Sequence, residues 1–413
     1  MFAEILSIGN ELLSGLTVNS NASFIGETLL QCGIPVRRTT VVGDRNDDIL
    51  TALRQALSRA SVVIITGGLG PTHDDITRHA IAEFLQVPLV FNSEAYQKVA
   101  QHFIRRNEVP PESNKIQAHF PEGTDILNNS LGTAPGFSFQ TQNARCFVLP
   151  GVPKEMKTML VQEVLPLIKD LGEAHIARVF KVSGISESLL FEKIRDLVLD
   201  MEAAHIQVAF LPGPTGIVLR LFTQKSNASV LSGRIPLLLD QAGEWIYGEE
   251  NDTMESVVGQ LLLDQQKTIA VAESCTGGLI GHKLTNVPGS SAYFDRGVLT
   301  YSNEAKEELL GVPGTTLEQF GAVSEQTAKA MAQGVRKLSR ASIGLSVTGI
   351  AGPGGGSETK PVGLVYVGYA DENKGFAKGF TFFTDRLVNK ERFAMAALDV
   401  VRRELLGLPQ NCL

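Results

Sequence analysis

No stretch of this chain approaches the ~18 apolar residues in a row that a membrane-spanning helix requires. The opening Met1-Phe2-Ala3-Glu4 also lacks the basic start and apolar centre of an export signal. Cysteine is scarce: Cys32, Cys146, Cys275 and Cys412 lie far apart with no CxxC pair. That spacing argues against a disulfide framework or a zinc site, and the expectation is free thiols in a reducing cytoplasm. Positive charge is in deficit, 37 Lys and Arg against 44 Asp and Glu, for a formal net charge of -7. Such a balance offers no general attraction to nucleic acid or to anionic membranes. Low-complexity tracts are absent, and so are repeats of the length that builds solenoids.

Glycine is what the chain has in plenty, 40 residues, gathered in short loops that follow apolar runs. α/β proteins hold phosphates in such loops. A length of 413 residues suits two or three domains. Over the first 170 residues, strands are expected at 3–8, 36–42, 62–66 and 146–149, with helices at 19–32, 47–59, 75–85 and 154–169. The run Val62-Val63-Ile64-Ile65 has no polar face, as a strand covered on both sides requires. Around Gly172 the pattern changes to strands at 177–182, 207–211 and 216–222 and a helix at 187–199. A polar break, Glu249-Glu250-Asn251-Asp252, precedes a helix at 254–266, and strand–helix alternation resumes at Thr268. The expected class is α/β: two α/β domains with mostly parallel sheets, 1–170 and 254–413, joined by a small α+β domain at 173–250.

Three segments of the last domain carry chemistry. The buried strand Ile269-Ala270-Val271-Ala272 runs into Glu273-Ser274-Cys275-Thr276-Gly277-Gly278 and then a helix to about Leu284. Ser274 therefore falls at a helix start, where unpaired N–H groups and the macrodipole would stabilise an oxyanion. Taken alone, Ser274 is better explained as an N-cap. The second segment alters that balance. A strand over 297–301 ends in Tyr301, and Ser302-Asn303-Glu304-Ala305-Lys306 opens the next helix, so Tyr301 and Lys306 can face one spot. A buried lysine loses its proton readily and can serve as base for a serine. Against this stand a solvated helix lysine and a packing tyrosine. The third segment, Thr348-Gly349-Ile350-Ala351-Gly352-Pro353-Gly354-Gly355-Gly356, is a glycine-rich loop after a strand at 343–347. Arg386 and Arg392 add cations for a phosphate or carboxylate. His282 is the one histidine after Lys267 and lies within a helix, which argues against a Ser-His-Asp triad, and no metal-ligand spacing occurs there. Cys275 is a rival nucleophile. Adjacent residues at a turn diverge, however, and Ser274 is the preferred one.

Ala272-Glu273-Ser274-Cys275-Thr276-Gly277-Gly278, Thr300-Tyr301-Ser302-Asn303-Glu304-Ala305-Lys306 and Thr348-Gly349-Ile350-Ala351-Gly352-Pro353 resemble the three signature blocks of the CinA C-terminal family. The resemblance implies deamidation of nicotinamide mononucleotide to nicotinic acid mononucleotide and ammonia, without cofactor or metal. It also implies Ser274, Tyr301, Lys306 and Thr348 as the catalytic group. Substrate contacts are expected from Glu273, Cys275, Thr276, Gly277, Gly278, Asn303, Gly349, Ala351, Gly352 and Gly355. Arg386 and Arg392 have no motif to anchor them and rest on charge.

In the first domain, Thr66-Gly67-Gly68-Leu69-Gly70-Pro71-Thr72-His73-Asp74-Asp75 follows a buried strand. A glycine loop before a helix suits a phosphate. Asp74 and Asp75 either cap that helix or hold a divalent metal against the phosphate. Asn10, Glu11, Asp44 and Glu155 are expected at the same edge, with Asp44 and Asp74 as the metal ligands. These blocks resemble the MoaB/MogA-like molybdopterin-binding fold as it occurs at the front of full-length CinA proteins. Some such domains hydrolyse ADP-ribose with a divalent metal such as Mg²⁺; pterin binding uses the same loop without hydrolysis. The middle unit resembles a KH-like domain. Its Gly213-Pro214-Thr215-Gly216 has the letters of a nucleic-acid-binding GxxG loop but lies between strands and lacks basic flanks, so nucleic acid is not expected as a partner. The combined expectation is a homodimeric, bifunctional enzyme of pyridine-nucleotide salvage. A non-catalytic competence or DNA-damage accessory protein and a pterin-binding module are the alternatives.

Overall fold

The structure is a computed structural model that describes residues 1–169 and 171–410. Cys412 lies outside the described residues; Cys32, Cys146 and Cys275 are free thiols. Among the described residues, no helix is long and apolar enough to cross a membrane. The chain forms two compact units, one of Met1–Ile176 with Gln224–Ser226, the other of Ala177–Thr223 with Asn227–Leu413.

The first unit is built on a six-stranded sheet in the order Val36–Val42, Ala3–Ile8, Val62–Thr66, Arg145–Leu149, Gly136–Gln140, Asp125–Leu127. The first three junctions are parallel and the last two antiparallel. Alternation along the inner strands feeds two cores. Ile5, Val62 and Ile64 pack with Ile25, Leu29 and Met156, while Leu6, Val63 and Ile65 pack with Leu53, Ile81 and Phe137. This is why those strands read as unbroken apolar runs: both faces are covered by helices. Of the polar residues in these strands, Glu4 is buried but pairs in a two-pronged contact with Arg59 at 2.9 and 2.8 Å. The helix expected at 154–169 runs as Pro153–Met159 and Leu165–Ile168 with a π turn, Leu160–Val164, between them. Pro166 has no N–H to continue an α-helical ladder, which accounts for the break in pattern.

The second unit holds two sheets. The smaller has the strand order Gln207–Gly213, Gly216–Gln224, His175–Val182, Ile246–Glu249, with the helices Glu187–Ala203 and Ala228–Ala242 packed against each other. The larger runs Phe294–Leu299, Ile269–Glu273, Ile343–Gly349, Leu364–Ala370, Gly375–Thr381, parallel at the first two junctions and antiparallel at the last two. Val271, Leu345 and Val347 face the long helix Arg386–Leu406 through Phe393, Leu398 and Val401. Ala270 and Ala272 face Leu310, Met331 and Val335 on the other side. The α/β class is as expected; the antiparallel hairpin at the edge of each larger sheet is an addition to the parallel core.

Candidate functional sites

From Ile269–Glu273 the chain passes to the neighbouring strand Phe294–Leu299; from Ile343–Gly349, on the other side, it passes away to Leu364–Ala370. The carboxyl ends of these two central strands therefore border a topological switch point, where open α/β sheets accept ligands. Ser274 sits there, 9% exposed, its N–H donating to the Val347 carbonyl at 3.0 Å. Lys306, in the first turn of Asn303–Leu310, is 1% exposed and places Nζ 3.2 Å from Ser274 Oγ. Nζ also donates to the carbonyls of Thr300 at 2.8 Å, Tyr301 at 3.4 Å and Ser302 at 3.3 Å. Burial pushes the Lys306 pKa below its ordinary value, against the partial support of Cys275 and Glu304. A neutral amine can keep two N–H bonds to these carbonyls and turn its lone pair toward the serine hydroxyl. Cys275 lies in the core with Val271, Ile280 and Phe393, and burial pushes its thiol up to about 12. It is thus removed from competition as a nucleophile.

The donors at this turn are already engaged. The Glu273 carboxylate, buried at the strand end, accepts the N–H groups of Gly278 at 2.9 Å, Ile280 at 3.1 Å and Gly281 at 2.8 Å. These belong to the start of the helix Leu279–Thr285. The helix start expected to receive an oxyanion therefore holds a carboxylate of the chain itself, and Glu273 shapes the turn. Gly277 and Gly278 take φ of 62° and 94°, which only glycine adopts freely. A Cβ on Gly277 would lie 3.6 Å from Lys390 Nζ, so this ammonium stands over the turn. The hydroxyls of Thr276 and Thr300 are buried without a hydrogen-bond partner among the described residues.

Tyr301 is brought to the rim. Its carbonyl touches Lys306, but its side chain is 69% exposed and its hydroxyl accepts from Arg386 Nη2 at 3.5 Å. The strand ends at Leu299 and the next helix is capped by Ser302, which leaves Tyr301 in a loop with its ring turned outward. The expected meeting of three groups is thus a direct Ser274–Lys306 contact with the phenol outside it. Thr348 is buried at the strand tip and donates to the Ala322 carbonyl at 2.7 Å, tying strand to loop. Gly349, Ala351, Gly352 and Gly355 fall at or after that strand end. The carbonyls of Ala351 and Gly352 accept from Asn389 Nδ2 at 3.0 Å and Arg386 Nη1 at 2.6 Å. Asn303 is exposed as the first residue of its helix. Arg392 lies elsewhere, its guanidinium 5.8 Å from the Phe382 ring centroid in a separate cavity. Sequence reasoning passed over Asn389 and Lys390. They follow Arg386 by three and four residues, a spacing that puts all three on one helix face.

The first unit repeats this plan. Its chain leaves Ala3–Ile8 for one neighbouring strand, whereas Val62–Thr66 lies next to Arg145–Leu149 on the opposite side. At the carboxyl ends is a cleft of about 370 Å³ that Glu11, Asp44, Asp74, Asp75 and Glu155 enter, with Gly67, Gly68 and Gly70 along one wall. No lysine or arginine among the described residues lines it. Burial and the charges of Glu11, Asp74 and Asp75 hold the Asp44 carboxyl above its usual range, partly offset by the Asn10 N–H at 3.0 Å. The next helix begins at Thr77, so neither aspartate caps it as expected. Asp75 folds back instead to accept from Gly70 N–H at 2.7 Å and Thr72 N–H at 2.9 Å. Gly67, with φ 102°, passes so close to the first strand that a Cβ would meet the Ile8 carbonyl oxygen at 2.1 Å. Thr66 is buried within the sheet beside Ser7, at 3.4 Å. Glu155 accepts from Asn129 Nδ2 at 2.6 Å. Arg78, missed in the sequence, is buried and donates to the Leu69 carbonyl at 2.8 Å; burial pushes it down to about 10. Among the described residues no three acidic, histidine or cysteine side chains converge on one point. Mutually repelling carboxylates without a cation still fit a magnesium-like ion, which takes one or two carboxylates and completes its shell with water and phosphate.

Residues 251–405 match the family described as "CinA C-terminal domain", and residues 4–170 match "Probable molybdopterin binding domain". The chain is similar to a CinA-like protein of Chloroherpeton thalassium, 44% identical over 98% of this chain and 100% of that one. A CinA-like protein of Gloeothece citriformis is 44% identical over 98% of this chain and 99% of its own. Among solved structures, the competence/damage inducible protein CihA from Agrobacterium tumefaciens is 40% identical, covering 38% of this chain and 97% of that chain, with a TM-score of 0.36.

Proposed function

Because this chain belongs to the full-length CinA family, we propose that its C-terminal α/β segment is a cofactor-free amidohydrolase converting nicotinamide mononucleotide to nicotinic acid mononucleotide and ammonia. The observation that carries this reading is the 3.2 Å contact between Lys306 Nζ, 1% exposed, and Ser274 Oγ. Neutral Lys306 takes the hydroxyl proton as Ser274 Oγ bonds to the amide carbon. Lys306 then returns that proton to the nitrogen as the C–N bond breaks and ammonia leaves. Water attacks the acyl-serine in the same way, releasing the carboxylate and restoring the hydroxyl. Arg386 and Lys390 offer cationic charge to the substrate phosphate. Ammonia release from nicotinamide mononucleotide, followed with Ser274→Ala, tests the proposal: the variant should fold normally and lose at least ~10³-fold in rate. Full activity in a folded Ser274→Ala protein would overturn it.

The carboxylate-lined cleft of the first unit favours a second activity there, hydrolysis of the pyrophosphate of ADP-ribose, over pterin binding alone. Asp44 and Asp74 would hold a divalent cation, whose part is to neutralise phosphate charge and activate water. Gly67 and Gly68 line the cleft while packing against the Ile8 carbonyl and the Thr77 hydroxyl, and Asp75 and Arg78 keep that loop in shape for a phosphate to approach. Asp44→Asn should abolish AMP release from ADP-ribose; undiminished cleavage by this variant would count against the reading.

A further inference from the structure

Two features that stood out in the sequence and found no place in either proposed reaction, Arg392 and the Gly213-Pro214-Thr215-Gly216 turn, line one cavity of about 360 Å³ in the second unit. Its size is within the range of small-molecule sites. The hairpin turn forms one wall, and Gly216 must be glycine: at φ 119°, a Cβ would meet the Val182 carbonyl oxygen at 2.1 Å. Ile217 and Met395 supply apolar surface. Arg392 forms no ion pair among the described residues; its guanidinium lies against the Phe382 ring, which fixes one face and leaves the N–H edge for a ligand. Ser183 also lines the cavity, is only 8% exposed, and its hydroxyl has no hydrogen-bond partner among the described residues. Of the acidic lining residues, Asp399 is taken up by Arg402 at 2.7 Å and Arg403 at 3.1 Å, and Glu187 is exposed.

We propose that this cavity is a second ligand site, for a small aromatic anion whose carboxylate or phosphate pairs with Arg392 and Ser183 and whose ring lies against Ile217 and Met395. A planar guanidinium edge and a hydroxyl lining the same cavity suit a carboxylate or phosphate, and the apolar walls reward a flat hydrophobic body. The site does not depend on Ser274 being catalytic.

Benzoate is the probe, with benzyl alcohol as its uncharged counterpart. Titration of the full chain should show benzoate binding at least about tenfold more tightly than the alcohol, a difference of roughly 1.4 kcal/mol. Hydrogen–deuterium exchange should show benzoate protecting residues 183–187, 212–217 and 392–399. Arg392→Gln, or Ser183→Val if the first variant folds poorly, should weaken binding about tenfold or more. Protection at residues 274–278 instead, equal affinity for the alcohol, binding undiminished in both variants, or no binding up to about 10 mM would each overturn the proposal.

Discussion

At the scale of single residues, the decisive group is Lys306. Its chain context, three residues beyond an exposed asparagine in a polar stretch, resembles that of any surface lysine. Burial makes it a candidate base, while the carbonyls of Thr300, Tyr301 and Ser302 hold Nζ in place. Its pKa lies below the ordinary lysine value because burial penalises the charged form. The active form of a base is the deprotonated one, so the rate of amide hydrolysis should rise with pH and level off below the range in which a free lysine titrates, ~10.4. Lys306→Met should remove that limb and lower the rate by about 10³-fold, read from a pH–rate profile of kcat. A profile flat across the alkaline limb in the parent protein would rule out Lys306 as the base. Cys275→Ala should leave the profile unchanged, because the thiol, pushed up to about 12, carries no thiolate at working pH. That Ser274 and Lys306 lie just beyond strand ends was legible in the sequence, since each follows a strand–turn signal. The position of the Tyr301 phenol was not: whether a loop side chain turns in or out depends on packing partners far away in the chain, here Arg386.

At the scale of elements, the recurrent device is a carboxylate folded back onto backbone donors. Glu273 occupies the start of Leu279–Thr285, and Asp75 occupies the N–H groups of Gly70 and Thr72. Each holds a glycine turn rigid beside a candidate site. Glu273→Gln preserves size but removes the charge and sets an amide group against N–H donors. It should destabilise the fold by about 2 kcal/mol, the value of a charge-assisted bond at a helix start. Urea unfolding checks this: a lowered midpoint at constant slope is expected, and an unchanged midpoint would show that the turn stands without the carboxylate. The strands Ala3–Ile8 and Val62–Thr66 were legible to the residue because burial on both faces writes itself into largely apolar runs; the edge strand Val36–Val42, with Arg37, Arg38 and Thr39 exposed, also has its expected bounds. The helix start at Thr77 was not, since Asp74 and Asp75 look like caps and the choice of Asp75 for the loop is a matter of geometry. The hairpin Leu364–Ala370 and Gly375–Thr381 was likewise obscure, its Gly368 and Gly379 breaking the apolar alternation at points of close packing.

At the scale of the molecule, two switch points of the same design carry opposite chemistry. The first collects five carboxylates and no cation among its described lining residues; the second brings a serine and a buried lysine together, with Arg386 and Lys390 nearby. A cleft whose burial and like charges raise the Asp44 carboxyl above its usual range should depend on a divalent cation, whereas the serine–lysine pair holds its proton acceptor within the chain. Two activities resting on such different supports should respond independently. Chelation should abolish cleavage of ADP-ribose and leave ammonia release from nicotinamide mononucleotide within about twofold, and Ser274→Ala should do the reverse. Assaying both substrates on one preparation makes the comparison internal, because a misfolded sample would lose both. If chelation stopped deamidation as well, the lysine could not be the sufficient base, and the proposed division of labour between the two sheets would fall with it.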